Sequence, residues 1–161
     1  MTRDQLLAAR TAAWTDDERA ALAAVVTALR PSPRHLADVL DWLDDIAARD
    51  AVRPAAVLAD PGLRAALTSA GSAPDRLKRW KERLRRLRYP RLAAREAEFA
   101  AAVRALDLGR AVTVAPPAAL EGGTVTVTIR AGSAAELDAI LDRLDARRRT
   151  GVLAKLFGLL D

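Results

Sequence analysis

The sequence has no cysteine, a single histidine and few aromatics, with three Trp, two Phe and one Tyr among its 161 residues. The missing cysteine excludes disulfides, thiolate nucleophiles and cysteine-bound metals, and it agrees with a reducing compartment. The lone His35 leaves little for proton-transfer chemistry. No G-x-S-x-G elbow, phosphate-cradling glycine loop or dinucleotide fingerprint is present. Two carboxylates alone can run acid–base catalysis, but nothing marks such a pair. The expectation is therefore a non-enzymatic protein without cofactor or bound metal. Long apolar runs are also absent, none approaching the roughly 18 residues that a membrane span needs. MTRDQLLAAR, with Asp4 and Arg10 around a short apolar patch, does not read as a secretory signal. A cytoplasmic protein with no membrane partner is expected.

What is present suits one ordinary domain, or two small ones. Hydrophobic residues make up 51% of the chain, so a core is available, and it must be built mainly from Leu, Val and Ala. Lysine occurs only three times, and the richness in Ala, Arg and Leu fits a GC-rich genome. Arginine in place of lysine therefore carries no message of its own. The net charge of +5 is unevenly placed. Residues 1–72 hold 8 basic and 10 acidic groups, residues 73–110 hold 12 and 5, and residues 111–161 hold 6 of each. A cationic excess confined to one segment points to a polyanionic partner.

The first third reads as helices with clear start signals. Thr15-Asp16-Asp17-Glu18 is a capping box, followed by Leu22, Val25, Val26 and Leu29 at helical spacing. Ser32-Pro33 starts a helix whose apolar face is Leu36, Val39, Leu40, Leu43 and Ile46. A short turn at Pro54–Leu58 leads to Asp60-Pro61, a cap-and-proline start for a helix ending near Ala70-Gly71. Residues 1–72 are expected to form a helical bundle, and residues 73–161 a second part.

Ser72-Ala73-Pro74-Asp75 opens the basic segment RLKRWKERLRRLRYPRL. Leu77, Trp80, Leu84 and Leu87 fall within an arc of about 80° on a helical wheel, and the cations lie outside it. Trp80 thus belongs to a buried stripe. Tyr89-Pro90 ends or kinks this helix, and a second one follows with Leu92, Phe99, Val103 and Leu106 up to Gly109.

The apolar period then changes from 3.6 to 2. Residues 111–114 predict a short strand, and residues 124–130 a second one with Val125, Val127 and Ile129 on one side. Pro116-Pro117 and Gly122-Gly123 bound the hairpin loop. Ser133-Ala134-Ala135-Glu136 predicts another capping box, ahead of an amphipathic helix with Leu137, Ile140, Leu141 and Leu144. VLAKLFGLL closes the chain. The fold class expected is α+β and mostly helical, a bundle followed by a helix–β-hairpin–helix unit. A two-stranded sheet is marginal alone and its edges invite pairing, so a homodimer is expected. Its interface would draw on Val125, Val127, Ile129, Leu137, Ile140, Leu141, Leu144, Leu156 and Phe157, pairing strands or exchanging helices. The alternative folds the hairpin and tail onto the bundle of the same chain.

From Tyr89 to about residue 146 a set of features runs in order. Pro90-x-Leu92 starts a helix bearing Glu96 and Phe99, and Val112-x-Val114 forms a strand. Gly122-Gly123 precedes the alternating Val125, Val127 and Ile129, and Ser133-x-x-Glu136-Leu137-x-x-Ile140-Leu141-x-x-Leu144 follows. This pattern resembles the C-terminal dimerisation domain of ParB-type partition proteins. The resemblance implies dimerisation and a basic surface that holds DNA without reading its sequence. It implies neither centromere recognition nor nucleotide hydrolysis, because nothing here resembles the arginine-rich nucleotide-binding motif of that family.

Function is therefore expected in binding. Arg79, Lys81, Arg83, Arg85, Arg86, Arg88 and Arg91 are the candidate nucleic-acid contacts, sequence-independent for want of any base-reading motif and steeply salt-dependent. The alternative is an accessory subunit whose basic helix meets an acidic protein. A second constellation, His35, Asp38, Asp41, Asp44 and Asp45, lies on one helix. Single-helix spacing seldom converges enough ligands for a metal, so these are expected to form a solvated acidic face or to pair with the basic helix.

Overall fold

The computed structural model describes residues 2–160. The chain is a mostly helical α+β protein, about 70% helical with one small antiparallel sheet. It divides into two compact units, residues 1–89 and residues 90–161.

The first unit is a bundle of α1 (Arg3–Arg10), α2 (Asp16–Leu29), α3 (Pro33–Asp50), α4 (Pro54–Leu58), α5 (Pro61–Thr68) and α6 (Ala73–Arg88). Caps set these boundaries. Thr15 and Glu18 form the expected reciprocal box, Ser32 caps α3 ahead of Pro33, and Ser72 with Asp75 closes a box at α6. Thr2 and Gln5 add one at α1. Each supplies acceptors to N–H groups that the first helical turn leaves unpaired. The apolar face of α3 is sunk as its spacing predicts, with Leu36, Val39, Leu40, Leu43 and Ile46 all buried.

Leu77, Trp80 and Leu84 of α6 join that same core, and Leu87 packs against it. The basic helix, grouped from sequence with the C-terminal part, therefore belongs to the bundle. Burial decides this: each of these side chains gains roughly 1.5–3 kcal/mol on leaving water. Gly71-Ser72 is a turn within the first unit, and the division falls at Tyr89-Pro90.

The second unit comprises α7 (Pro90–Leu106), β1 (Val112–Ala115), a 3-10 turn (Ala118–Leu120), β2 (Thr126–Ile129), α8 (Ala134–Arg149) and α9 (Val152–Gly158). The strands pair antiparallel with Val112 opposite Ile129 and Val114 opposite Val127, so the alternating valines share one face. β2 is shorter than the 124–130 expected. Phe99, Leu106, Leu108, Val112, Leu120, Ile140, Leu156 and Leu160 make this unit's own core. The VLAKLFGLL segment forms α9, which packs on α7 and α8 and buries Leu156 and Leu160. At α8 the expected box is only half formed. Ser133 accepts from Glu136 N, but the Glu136 carboxylate turns to Gly132 N at 2.7 Å instead of the Ser133 N–H.

Candidate interaction site

Seven cations were expected to face a polyanion, and six of them lie on α6. Their placement follows from the helical wheel. With Leu77, Trp80 and Leu84 turned inward, the cations fan out on both flanks of α6, and on each flank the bundle supplies acceptors. Towards α3, Lys81 Nζ reaches Asp38 Oδ2 at 2.8 Å, and Arg88 reaches Asp45 at 2.5 Å. Towards α5, Arg83 forms a two-pronged pair with Asp60, Nε to Oδ1 at 2.9 Å and Nη2 to Oδ2 at 2.7 Å. Glu82, on α6 itself, accepts from both Arg85 and Arg86, each through Nε at 2.9 Å. Arg79 bonds Ser69 Oγ and the Ala70 carbonyl. Arg91 lies on α7 in the second unit and makes no salt bridge among the described residues.

The acidic face of α3 is spent in the same way. Asp38 and Asp45 hold α6, while Asp41 and Asp44 both pair with Arg10 of α1 at 2.7 Å. His35 is exposed, and only its backbone N–H engages the cap. Among the described residues no cluster of three or more His, Asp or Glu is placed to hold a metal ion.

These pairs leave an electrostatic signature. Lys81 pulls the Asp38 carboxyl below its ordinary range, and Arg83 does the same to Asp60. Arg85, and then Arg86, lower Glu82. Arg83 is raised in turn by Asp60. Buried Glu18, lowered by Arg53, ties the start of α2 to the start of α4. In each case a hydrogen bond to the charged form is the main cause.

An open groove of about 700 Å³ runs between α3 and α6. Trp42, Leu77 and Pro74 give it an apolar floor, and Lys78, Lys81, Arg85 and Arg86, with Glu82 among them, its charged lining. Lys81 and Arg88 stand 5.2 and 5.7 Å from the Trp42 ring centroid, close enough for cation–π attraction. Trp42 belongs to this site although it was not among the expected site residues. The signal was there: it falls four residues after Asp38 and three before Asp45, on the flank of α3 that supplies acids to α6.

No family model, curated protein or solved structure matches the chain. Function must be argued from these surfaces.

In the second unit, the residues expected at a dimer interface divide into two groups. Ile140 and Leu156 are buried in the unit's own core, and Val125, Ile129 and Leu144 pack against it. Val127, Leu137, Leu141 and Phe157 are exposed, between 39% and 49%. Leu137, Leu141 and Leu144 follow one line along α8. Beside that line a groove of about 430 Å³ opens between the sheet, α8 and α9, with Val127, Leu144 and Phe157 in its wall.

Proposed function

We propose that the protein is a non-catalytic interaction protein that self-associates through its second unit and meets a protein partner with the basic helix of its first. The observation that carries self-association is the exposure of Leu137 and Leu141 in line along α8 and of Val127 and Phe157 in the groove wall that Leu144 shares. Apolar side chains clustered in this way mark association surfaces.

A second copy of this chain is the occupant that α8 itself fits. Asp138 and Asp142 lie on one flank of the apolar line, and Arg149 lies on the same flank about two to three turns later. Two α8 helices laid antiparallel bring the acidic part of each beside the basic end of the other. Such pairing sets register and orientation. The two outer edges of the β1–β2 hairpin are also unpaired among the described residues, which favours the same association. Dimerisation is what the resemblance of residues 89–146 to the ParB dimerisation domain implies.

The pairing of Lys81, Arg83, Arg85, Arg86 and Arg88 with carboxylates favours a protein partner over duplex DNA. A duplex would have to displace several internal pairs at once. It would also leave the apolar groove floor unfilled.

Sedimentation of the full chain over a dilution series tests this reading. The wild type is expected to dimerise, and Leu141→Glu is expected to sediment as a monomer with unchanged helicity. A wild-type monomer at about 100 µM, a dissociation constant weaker than about −5.5 kcal/mol of association, opposes it. So does tight duplex-DNA binding that collapses with added salt.

A further inference from the structure

From the groove between α3 and α6 we infer that the protein partner offers an acidic amphipathic helix. The inference rests on the interaction-protein reading above and adds the chemistry of the partner. Three observations carry it.

The first is the floor. Trp42 is only partly buried, although an indole is the costliest side chain to leave wet, and Leu77 and Pro74 continue the apolar surface beside it. A polyphosphate has no apolar face to lay on this floor, whereas an amphipathic helix has a continuous one.

The second is the rim. Lys78, Lys81 and Arg85 follow each other by about one turn along the same flank of α6. Lys78 makes no salt bridge among the described residues, and the Arg86 side chain is 58% exposed despite its contact with Glu82. Carboxylates on an incoming helix can meet Lys78 and Arg86 and leave the Lys81–Asp38 pair in place. Arg86 shares the Glu82 carboxylate with Arg85, so an arriving acid adds a second partner to Arg86.

The third is length. From Pro74 to Arg86 the groove follows α6 for about 18 Å, three turns of helix. That is the footprint of a helical segment. It exceeds what a single small anion would occupy.

The test uses the full chain and a fluorescein-labelled synthetic peptide of about 14 residues, long enough as a helix to span the groove. Its leucines sit at i, i+3, i+7 and i+10, with glutamates beside them. The peptide is expected to bind saturably, and a scramble of identical composition, with leucines spread around the helix, to bind roughly tenfold more weakly. Lys78→Glu/Arg86→Glu is expected to weaken the peptide by a similar factor while the helical circular dichroism is unchanged, since neither side chain is buried. Equal binding of peptide and scramble overturns the inference, as does indifference to the double reversal. No peptide binding by a chain that still dimerises overturns this groove assignment alone. Displacement of the peptide by a short oligonucleotide, with steep salt dependence, overturns both this inference and the interaction-protein reading.

Discussion

Asp60 does two jobs with one carboxylate: it caps α5 by accepting from Leu63 N at 2.9 Å, and it holds Arg83 of α6 through two bonds at 2.9 and 2.7 Å. The residue that starts one helix thereby anchors another, 23 positions away. Asp60→Ala removes both roles and is expected to cost about 1–2 kcal/mol in urea unfolding. Asp60→Asn keeps a good cap and loses the charge, so a smaller loss of about 1 kcal/mol or less is expected. Equal losses would show that the cap adds nothing, and an Asp60→Asn variant as stable as the wild type that the pair with Arg83 adds nothing.

Gly62 lies beneath this pair. A Cβ there would stand 2.5 Å from Arg83 Nε and 3.0 Å from Asp60 Oδ1. Gly→Ala within a helix ordinarily stabilises by about 0.5–1 kcal/mol. Gly62→Ala is expected to gain nothing, because Arg83 has to move off Asp60. Restored gain in the Arg83→Ala background checks the cause.

Acid should loosen the first unit. The Asp38, Asp60 and Glu82 carboxyls are held below their ordinary range by Lys81, Arg83 and Arg85. Folded values below the unfolded ones mean that the stabilisation is complete above about pH 4–5, near the unfolded carboxyl values. It is lost as pH falls through the depressed folded values. Solvent screening keeps each pair to about 1 kcal/mol or less. The thermal midpoint should therefore be flat down to about pH 5 and decline below about pH 4. Asp38→Asn/Asp60→Asn/Glu82→Gln should lower the plateau and flatten the decline. An unchanged decline in the triple variant contradicts this.

Trp80 is fully buried, and its Nε1 has no hydrogen-bond partner among the described residues. Trp80→Phe removes an unpaired donor along with part of the packing, so the two changes partly offset. Trp80→Ala leaves a cavity and should cost about 3–5 kcal/mol. Circular dichroism melts of the two variants should differ by that gap.

Ala51 ends α3 in the left-handed region, at φ 53°. Its Cβ is strained there, at a cost of about 1 kcal/mol that glycine avoids. Ala51→Gly should raise the thermal midpoint, while Ala48→Gly, within α3, should lower it.

Much of this protein is legible without coordinates. The box at Thr15–Glu18, the helix start at Ser72-Ala73-Pro74-Asp75, the proline starts at Pro33 and Pro61, and the apolar faces of α3 and α6 follow from local chemistry. Caps and helical periodicity act over three to seven residues, so neighbours in sequence suffice to predict them. The change to a period of two at Val112 likewise announced the hairpin. What the sequence could not contain was which opposite charges meet. The sequence left the cations of α6 and the aspartates of α3 open either to solvent or to pairing with each other. Only the crossing of α3, α5 and α6 turned them into the pairs of Lys81 with Asp38, Arg83 with Asp60 and Arg88 with Asp45. The same crossing set Trp42 into a groove with a cationic rim. Charge pairing and groove shape depend on how helices pack across dozens of residues, and that is decided by the shared core beneath them.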